Sequence, residues 1–293
     1  MSNAARTAGI AAAILAPCAA TASSTYQELL TRPRPTPDQH IAYGKDALQV
    51  GDLYLPKGNG AHPVVVLIHG GCWLAELPGR ELMDPMIEPL RARGFAIWNI
   101  EYRRIGHDGG GYPGTFLDTA NAIDKLRTLA PRFHLDLAHV VTVGHSAGGH
   151  LAIWAAARSR IAKSSALYKS DPLPIHGAVS LSGILDLEAY RRSGPDACGG
   201  PPTIDGLIGQ RSDPCADTSP ARLVPSGVRQ VIFSGDLDHI VPAPFGHAYA
   251  KKARAAGDRV DDIEIKGAGH FEMVDPKSDA WPIIEAAIVA AAK

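Results

Sequence analysis

Val140-Val141-Thr142-Val143-Gly144-His145-Ser146-Ala147-Gly148-Gly149-His150 changes character twice in one short stretch. Val140–Val143 is β-branched throughout, as expected of a strand buried on both faces. From Ala147 to Ala157 the chain is Ala-rich and suits a helix. Between them stands a Gly-x-Ser-x-Gly turn. A strand that passes directly into a helix must turn sharply, so Ser146 occupies a strained corner whose neighbours two positions away must be small. Such a corner lifts the Ser146 hydroxyl clear of the strand end. It also brings the N–H groups of the helix start beneath it, where they favour negative charge. A tight turn without chemistry uses the same glycines, but the strand-turn-helix setting is what an exposed nucleophile requires.

Further buried strands are expected at Pro63–His69, Phe95–Ile100, Gly177–Leu181, Gln230–Phe233 and Ile263–Ile265. Ala47–Leu55 alternates and stops at Pro56, which suggests the edge strands of a hairpin. Helical spacing marks Leu82–Arg93, Thr115–Leu129 with Pro131 just beyond its end, Pro244–Ala256 and Ala280–Ala292. Strands alternating with helices predict an α/β domain over residues 41–293, with a mostly parallel sheet covered on both faces. Ser182–Val224, rich in Gly, Pro and Asp, reads as a small loop-rich insertion over one end of that sheet. Residues 23–40, with the Pro-rich run Thr31–Pro37, read as a linker. Residues 1–22 read as a signal peptide: Arg6, an apolar run from Ala8 to Ala20, and a small-x-small site at Ala20-Thr21-Ala22. The expectation is export to the periplasm or the medium. A lipid anchor at Cys18 is a minor alternative, since Pro17 fits a lipobox poorly.

The chain has 293 residues and a net charge of −1, with both signs interspersed, so no polyanion-binding surface and no nucleic-acid partner is expected. No apolar run is long enough to span a bilayer within the fold. Of the four cysteines, Cys198 and Cys215 flank a Gly/Pro-rich segment and could pair in an oxidising compartment. Cys72 is expected to pack rather than react. No CxxC spacing supports zinc or redox chemistry, and no metal or organic cofactor is implied.

A serine nucleophile needs a base, and the base needs an acid to orient it. Among twelve histidines, His270 follows the last strand in Gly267-Ala268-Gly269-His270-Phe271, at the sheet edge that carries Ser146. Asp236 and Asp238 follow the preceding strand. Asp238, deeper in its loop, is preferred as the acid, giving the chain order Ser146, Asp238, His270. His69-Gly70-Gly71-Cys72-Trp73 closes another strand. Its paired glycines let the backbone turn amides into the site, so the N–H groups of Gly71, Cys72 and Ala147 are the candidate oxyanion hole. His69 is expected to pin this loop.

These motifs together resemble the α/β-hydrolase superfamily, and more narrowly the bacterial esterase/lipase group with an HGGxW oxyanion loop. That group shades into kynurenine-formamidase-like enzymes and the catalytic domains of prolyl-oligopeptidase-type peptidases. The resemblance runs from Ile41 to the C-terminus. It implies the α/β-hydrolase fold and a carboxylesterase-type serine hydrolase that cleaves a small-molecule ester through an acyl-enzyme. Cys72 stands where many lipases of the hormone-sensitive type carry a third glycine. An arylformamidase-like amidase is the alternative. A peptidase, which would carry a propeller ahead of the catalytic domain, and a non-catalytic binding protein are less favoured. Trp73, Tyr112 and Phe271 are the substrate-pocket candidates. The segments His107–Pro113 and Gly183–Val224 are the expected pocket walls.

Overall fold

In the computed structural model, which describes residues 24–293, Val64–Ile68 sends alternate side chains to opposite faces of a sheet. Eight strands build that sheet: β1 (Gln39–Ala42), β2 (Val50–Tyr54), β3 (His62–Ile68), β4 (Ala96–Ile100), β5 (Leu135–His145), β6 (Gly177–Leu181), β7 (Arg229–Gly235) and β8 (Val260–Ile265). Their order is β1-β2-β4-β3-β5-β6-β7-β8. β2 pairs antiparallel with both β1 and β4, and every pair from β4 to β8 is parallel.

Among the described residues, eight α-helices accompany it: α1 (Tyr26–Leu30), α2 (Ile87–Ala92), α3 (Gly114–Phe133), α4 (Ala147–Ala156), α5 (Leu187–Ser193), α6 (Gly200–Ile208), α7 (Ala243–Ala255) and α8 (Trp281–Ala291). Val64, Val66, Ile68 and Trp98 share one core with Phe116 of α3, Leu151 of α4 and Tyr249 of α7. Val65, Leu67, Ile97 and Val143 share the other with Leu29 of α1, Leu90 of α2 and Ile284 of α8. Each fully buried aliphatic or Phe side chain contributes about 1.5–3 kcal/mol, so the parallel strands are clamped from both sides. The six parallel strands, β3 to β8, end at one edge, and the loops leaving that edge carry Ser146, Asp238 and His270.

Several expectations are corrected. The α3 helix does not stop ahead of Pro131 but continues to Phe133 and ends at a left-handed His134, φ 51°. A proline this near a helix end gives up one backbone bond, and Phe133 packs against the core. Leu82–Arg93 is split into a 3-10 turn, Arg80–Met86, which contains Pro85, followed by α2. The insertion before β7 holds α5 and α6, with Asp186 capping α5 through the Ala189 amide at 3.0 Å. In the expected linker 23–40, the described part is docked structure: α1, closed by a Thr25–Glu28 capping box, and the start of β1. The expected signal peptide, 1–22, lies outside the described residues.

The cysteine pairing is also different. Cys198 bonds Cys72, 126 residues away, and Cys215 is free and buried. The bond ties the insertion to the Gly70-Gly71 loop, a contact made between distant segments and invisible in local spacing. Disulfide cross-links typically stabilise by about 2–4 kcal/mol. Cys198→Ala should therefore lower the thermal midpoint by several degrees in non-reducing buffer. An unchanged midpoint would show that the cross-link contributes nothing to stability.

Candidate active site

The elbow is built by steric exclusion. Ser146 has φ 54° and ψ −119°, outside the regions open to most L-residues, and its side chain is 2 % exposed. Its N–H donates to Leu181 O at 2.8 Å, and its carbonyl accepts from His150 N at 3.1 Å. A Cβ on Gly144 would lie 2.0 Å from Gly148 O. One on Gly148 would lie 2.0 Å from Ile68 O and 2.4 Å from His69 O. The two glycines are therefore required by contact between β3, β5 and α4.

His270 Nδ1 lies 2.7 Å from Asp238 Oδ2, with the ring donating to the carboxylate. The other oxygen, Oδ1, accepts from the Ile240 and Val241 amides, each at 2.8 Å. Burial pushes the Asp238 pKa up, but the His270 hydrogen bond, the imidazole's charge and the Val241 amide outweigh it and hold the acid below its ordinary value. Asp236, the other candidate acid, instead accepts from Gly267 N at 2.7 Å and shapes the turn before His270.

His145, the variable residue of the elbow, props the His270 loop from below. Its ring centroid is 4.5 Å from that of His270, and its Nε2 reaches His270 O at 3.0 Å. Complete burial, reinforced by the nearby His270 charge, pushes its pKa down to about 3, so it stays neutral and donates. Sequence carries no signal for this role, because any residue can stand between Gly144 and Ser146.

The loop after β3 is strained as well as glycine-rich: Gly71, Cys72 and Trp73 have φ 94°, 49° and 57°. Among the described residues, the amides of Gly71 and Cys72 have no acceptor. Ala147 opens α4, where the first N–H groups have no intrahelical partner. His69 Nδ1 contacts Gly70 O at 2.8 Å, and its Nε2 contacts Glu101 Oε1 at 2.8 Å. Because a trans peptide sets C=O and N–H on opposite sides, holding Gly70 O also aims the Gly71 N–H. Tyr102 stacks on the His69 ring at 4.3 Å and donates from its hydroxyl to His69 O at 2.8 Å. Burial would raise the Glu101 pKa, yet His69, Arg104 and the Tyr102 amide bring it down to about 2.

These parts border one cleft of about 190 Å³. Gly71, Cys72, His145, Ser146 and His270 line its floor, and Tyr26, Leu77, Pro78, Leu82, Ala197, Ile240 and Phe271 its walls. Of the three pocket candidates, only Phe271 lines it. Trp73 is 0 % exposed and packs edge-on against His150 at 5.2 Å. Tyr112 packs on Phe116 and lies under the Arg211 guanidinium, 3.6 Å from its ring centre, so His107–Pro113 forms no wall of the cleft. Gly183–Val224 contributes Ala197 to it. A larger polar hollow, about 460 Å³ between Arg32 and Lys266–Ala280, touches neither Ser146 nor His270. Among the described residues no cluster of His, Cys, Asp or Glu is arranged to hold a metal ion, and no helix is long and apolar enough to cross a membrane.

The mostly parallel sheet, with a serine elbow and an Asp–His pair at the ends of its strands, defines an α/β-hydrolase. Residues 51–252 match the BD-FAE family model, and the chain belongs to that family of α/β-hydrolase esterases. Its fold is similar to that of esterase B from Lactobacillus Rhamnosis, with TM-score 0.77 and 18 % identity over 91 % of this chain and 90 % of that one. The bifunctional GH43-CE protein of Bacteroides eggerthii gives TM-score 0.72 and 23 % identity over 87 % of this chain and 35 % of its own. Thermogutta terrifontis esterase 2 gives 0.69 and 19 % over 87 % and 94 %. In sequence, the chain is 31 % identical over 123 residues to the non-reducing polyketide synthase Preu3 of Preussia isomera, 38 % of this chain but 5 % of that protein.

The close approach of Gly148 to the β3 carbonyls makes a methyl group there costly. Gly148→Ala should destabilise the fold by about 2 kcal/mol or more, read as a fall in the urea midpoint. A midpoint equal to wild type would contradict the contact account.

Proposed function

We propose that this chain hydrolyses small carboxylic esters by two-step acyl transfer. The observation that carries the reading is the 2.7 Å His270–Asp238 hydrogen bond beside a left-handed serine that borders the same cleft. His270 takes the Ser146 proton as the hydroxyl oxygen attacks the ester carbonyl. The oxyanion receives the N–H groups of Gly71, Cys72 and Ala147. His270 then gives its proton to the departing alcohol, and water, activated by the same ring, releases the acid. Asp238 fixes the tautomer and stabilises the imidazolium.

A cleft of about 190 Å³ is below the roughly 300–1,000 Å³ of drug-sized ligand sites, in keeping with a small substrate. A structural neighbour named as a carbohydrate esterase supports testing acetylated sugars beside simple esters. The Cys72–Cys198 bond, with the leader pattern of residues 1–22, supports action in an oxidising compartment outside the cytoplasm.

Hydrolysis of p-nitrophenyl acetate, butyrate and octanoate by wild type and Ser146→Ala tests the reading. Turnover is expected only with the serine present. If N-formylkynurenine is cleaved and no ester is, the formamidase alternative replaces it. With His145 at about 3, one group alone should lose a proton as kcat/KM rises with pH above about 4. Two inflections on that limb would contradict the neutral His145. His69→Ala, which frees the Gly70–Gly71 peptide, should lower kcat by about 100-fold with little change in KM. A rise in KM at constant kcat would instead assign His69 to ground-state binding.

A further inference from the structure

Residues 24–34 lie ahead of the sheet, yet one of them, Tyr26, lines the cleft. Ser24 donates from its backbone to Glu272 Oε1 at 2.6 Å and from its hydroxyl to Asp275 Oδ2 at 2.7 Å. Arg32 grips the same buried Asp275 with both arms of its guanidinium. Between these ties α1 buries Leu29, 2 % exposed, in the core that holds Leu82 and Met83. A helix of one turn and a half is marginal alone, so docking holds this one. One helical turn before Leu29, on the same face, stands Tyr26. Its ring meets Phe271 at 5.8 Å, and Phe271 in turn meets His270 edge-on at 5.1 Å.

We propose that Tyr26, carried by this strap, selects the alcohol half of the ester. The inference rests on the ester-hydrolase reading and follows from where the proton goes. His270 must deliver it to the leaving oxygen, so the alcohol departs on the His270 side. The Gly71 and Cys72 amides receive the carbonyl oxygen instead. Tyr26 and Phe271, tilted 54° to each other, form the outer wall there. Two aromatic faces favour an alcohol that presents a flat, apolar ring face, because aromatic rings pack well on such surfaces. Tyr26 is thus a specificity residue supplied from outside the sheet, and Arg32 is its positioning residue.

The test compares kcat/KM for benzyl acetate and ethyl acetate, alongside p-nitrophenyl acetate and butyrate, in the full chain. Tyr26→Ala is expected to lower the benzyl-to-ethyl ratio by about fivefold to tenfold, the size of an aromatic contact, and to leave the acetate-to-butyrate ratio unchanged. Tyr26→Phe should keep the wild-type ratio, and Arg32→Ala should move it in the same direction as Tyr26→Ala. An unchanged benzyl-to-ethyl ratio in Tyr26→Ala, or a change confined to the acyl series, overturns the proposal while leaving ester hydrolysis intact. A folded wild type that turns over none of these esters overturns the ester reading itself.

Discussion

Everything at this site depends on the crossing of β3, β5 and α4 at Ser146. The turn is so tight that the α4 start lies against the carbonyls of Ile68 and His69, leaving no volume for a side chain at Gly144 or Gly148. That contact lifts Ser146 out of the sheet and brings the first amides of α4 under it. It also brings the loop after β3 alongside, since a Cβ on Gly70 would lie 3.1 Å from the Ser146 Cβ. Ser146 and the candidate oxyanion donors are thus fixed by one packing event, and the strain of a left-handed serine is held by the cores on both faces of the sheet.

Around that crossing, buried polar groups hold what packing alone would leave loose. His69, Glu101, Tyr102 and Arg104 form one network whose effect is to fix a single carbonyl, Gly70 O. Arg104 also donates to Leu77 O at 2.6 Å, fastening the segment that continues the cleft wall. His145 does the corresponding work on the opposite side, beneath His270. Buried polar contacts of this kind favour one arrangement, because breaking them leaves a charge or carbonyl unpaired in a low-dielectric interior. The disulfide from Cys72 to Cys198 adds a covalent tie between the strained loop and the insertion above it.

Legibility in the sequence followed the range of the interaction. The strands and the elbow could be read because β-branched runs and the two glycines answer to neighbours close along the chain. Placing His270 and Asp238 required only that they follow parallel strands ending at one edge. Trp73 and Tyr112 misled because an aromatic residue beside a motif is as well suited to a core as to a pocket, and His150 and Arg211 decided between the two. Cys198 and Cys215 looked like partners by proximity, yet the pairing follows distance in space, and the insertion folds Cys198 onto the loop after β3.

Local sequence was enough to give the alternation of strand and helix, the strained serine turn and the chain order of Ser146, Asp238 and His270. Each is set by local sterics or by the edge of the sheet at which a strand ends. Which side chains wall the cleft was settled by long-range packing. Tyr26, Leu82, Ala197 and Ile240 come from segments far apart in the chain. Their meeting depends on how the strap and the insertion bury Leu29, Cys198 and their neighbours against the sheet. No spacing rule encodes such a meeting, because it is the sum of many long-range contacts, none of which has a partner until the sheet has formed.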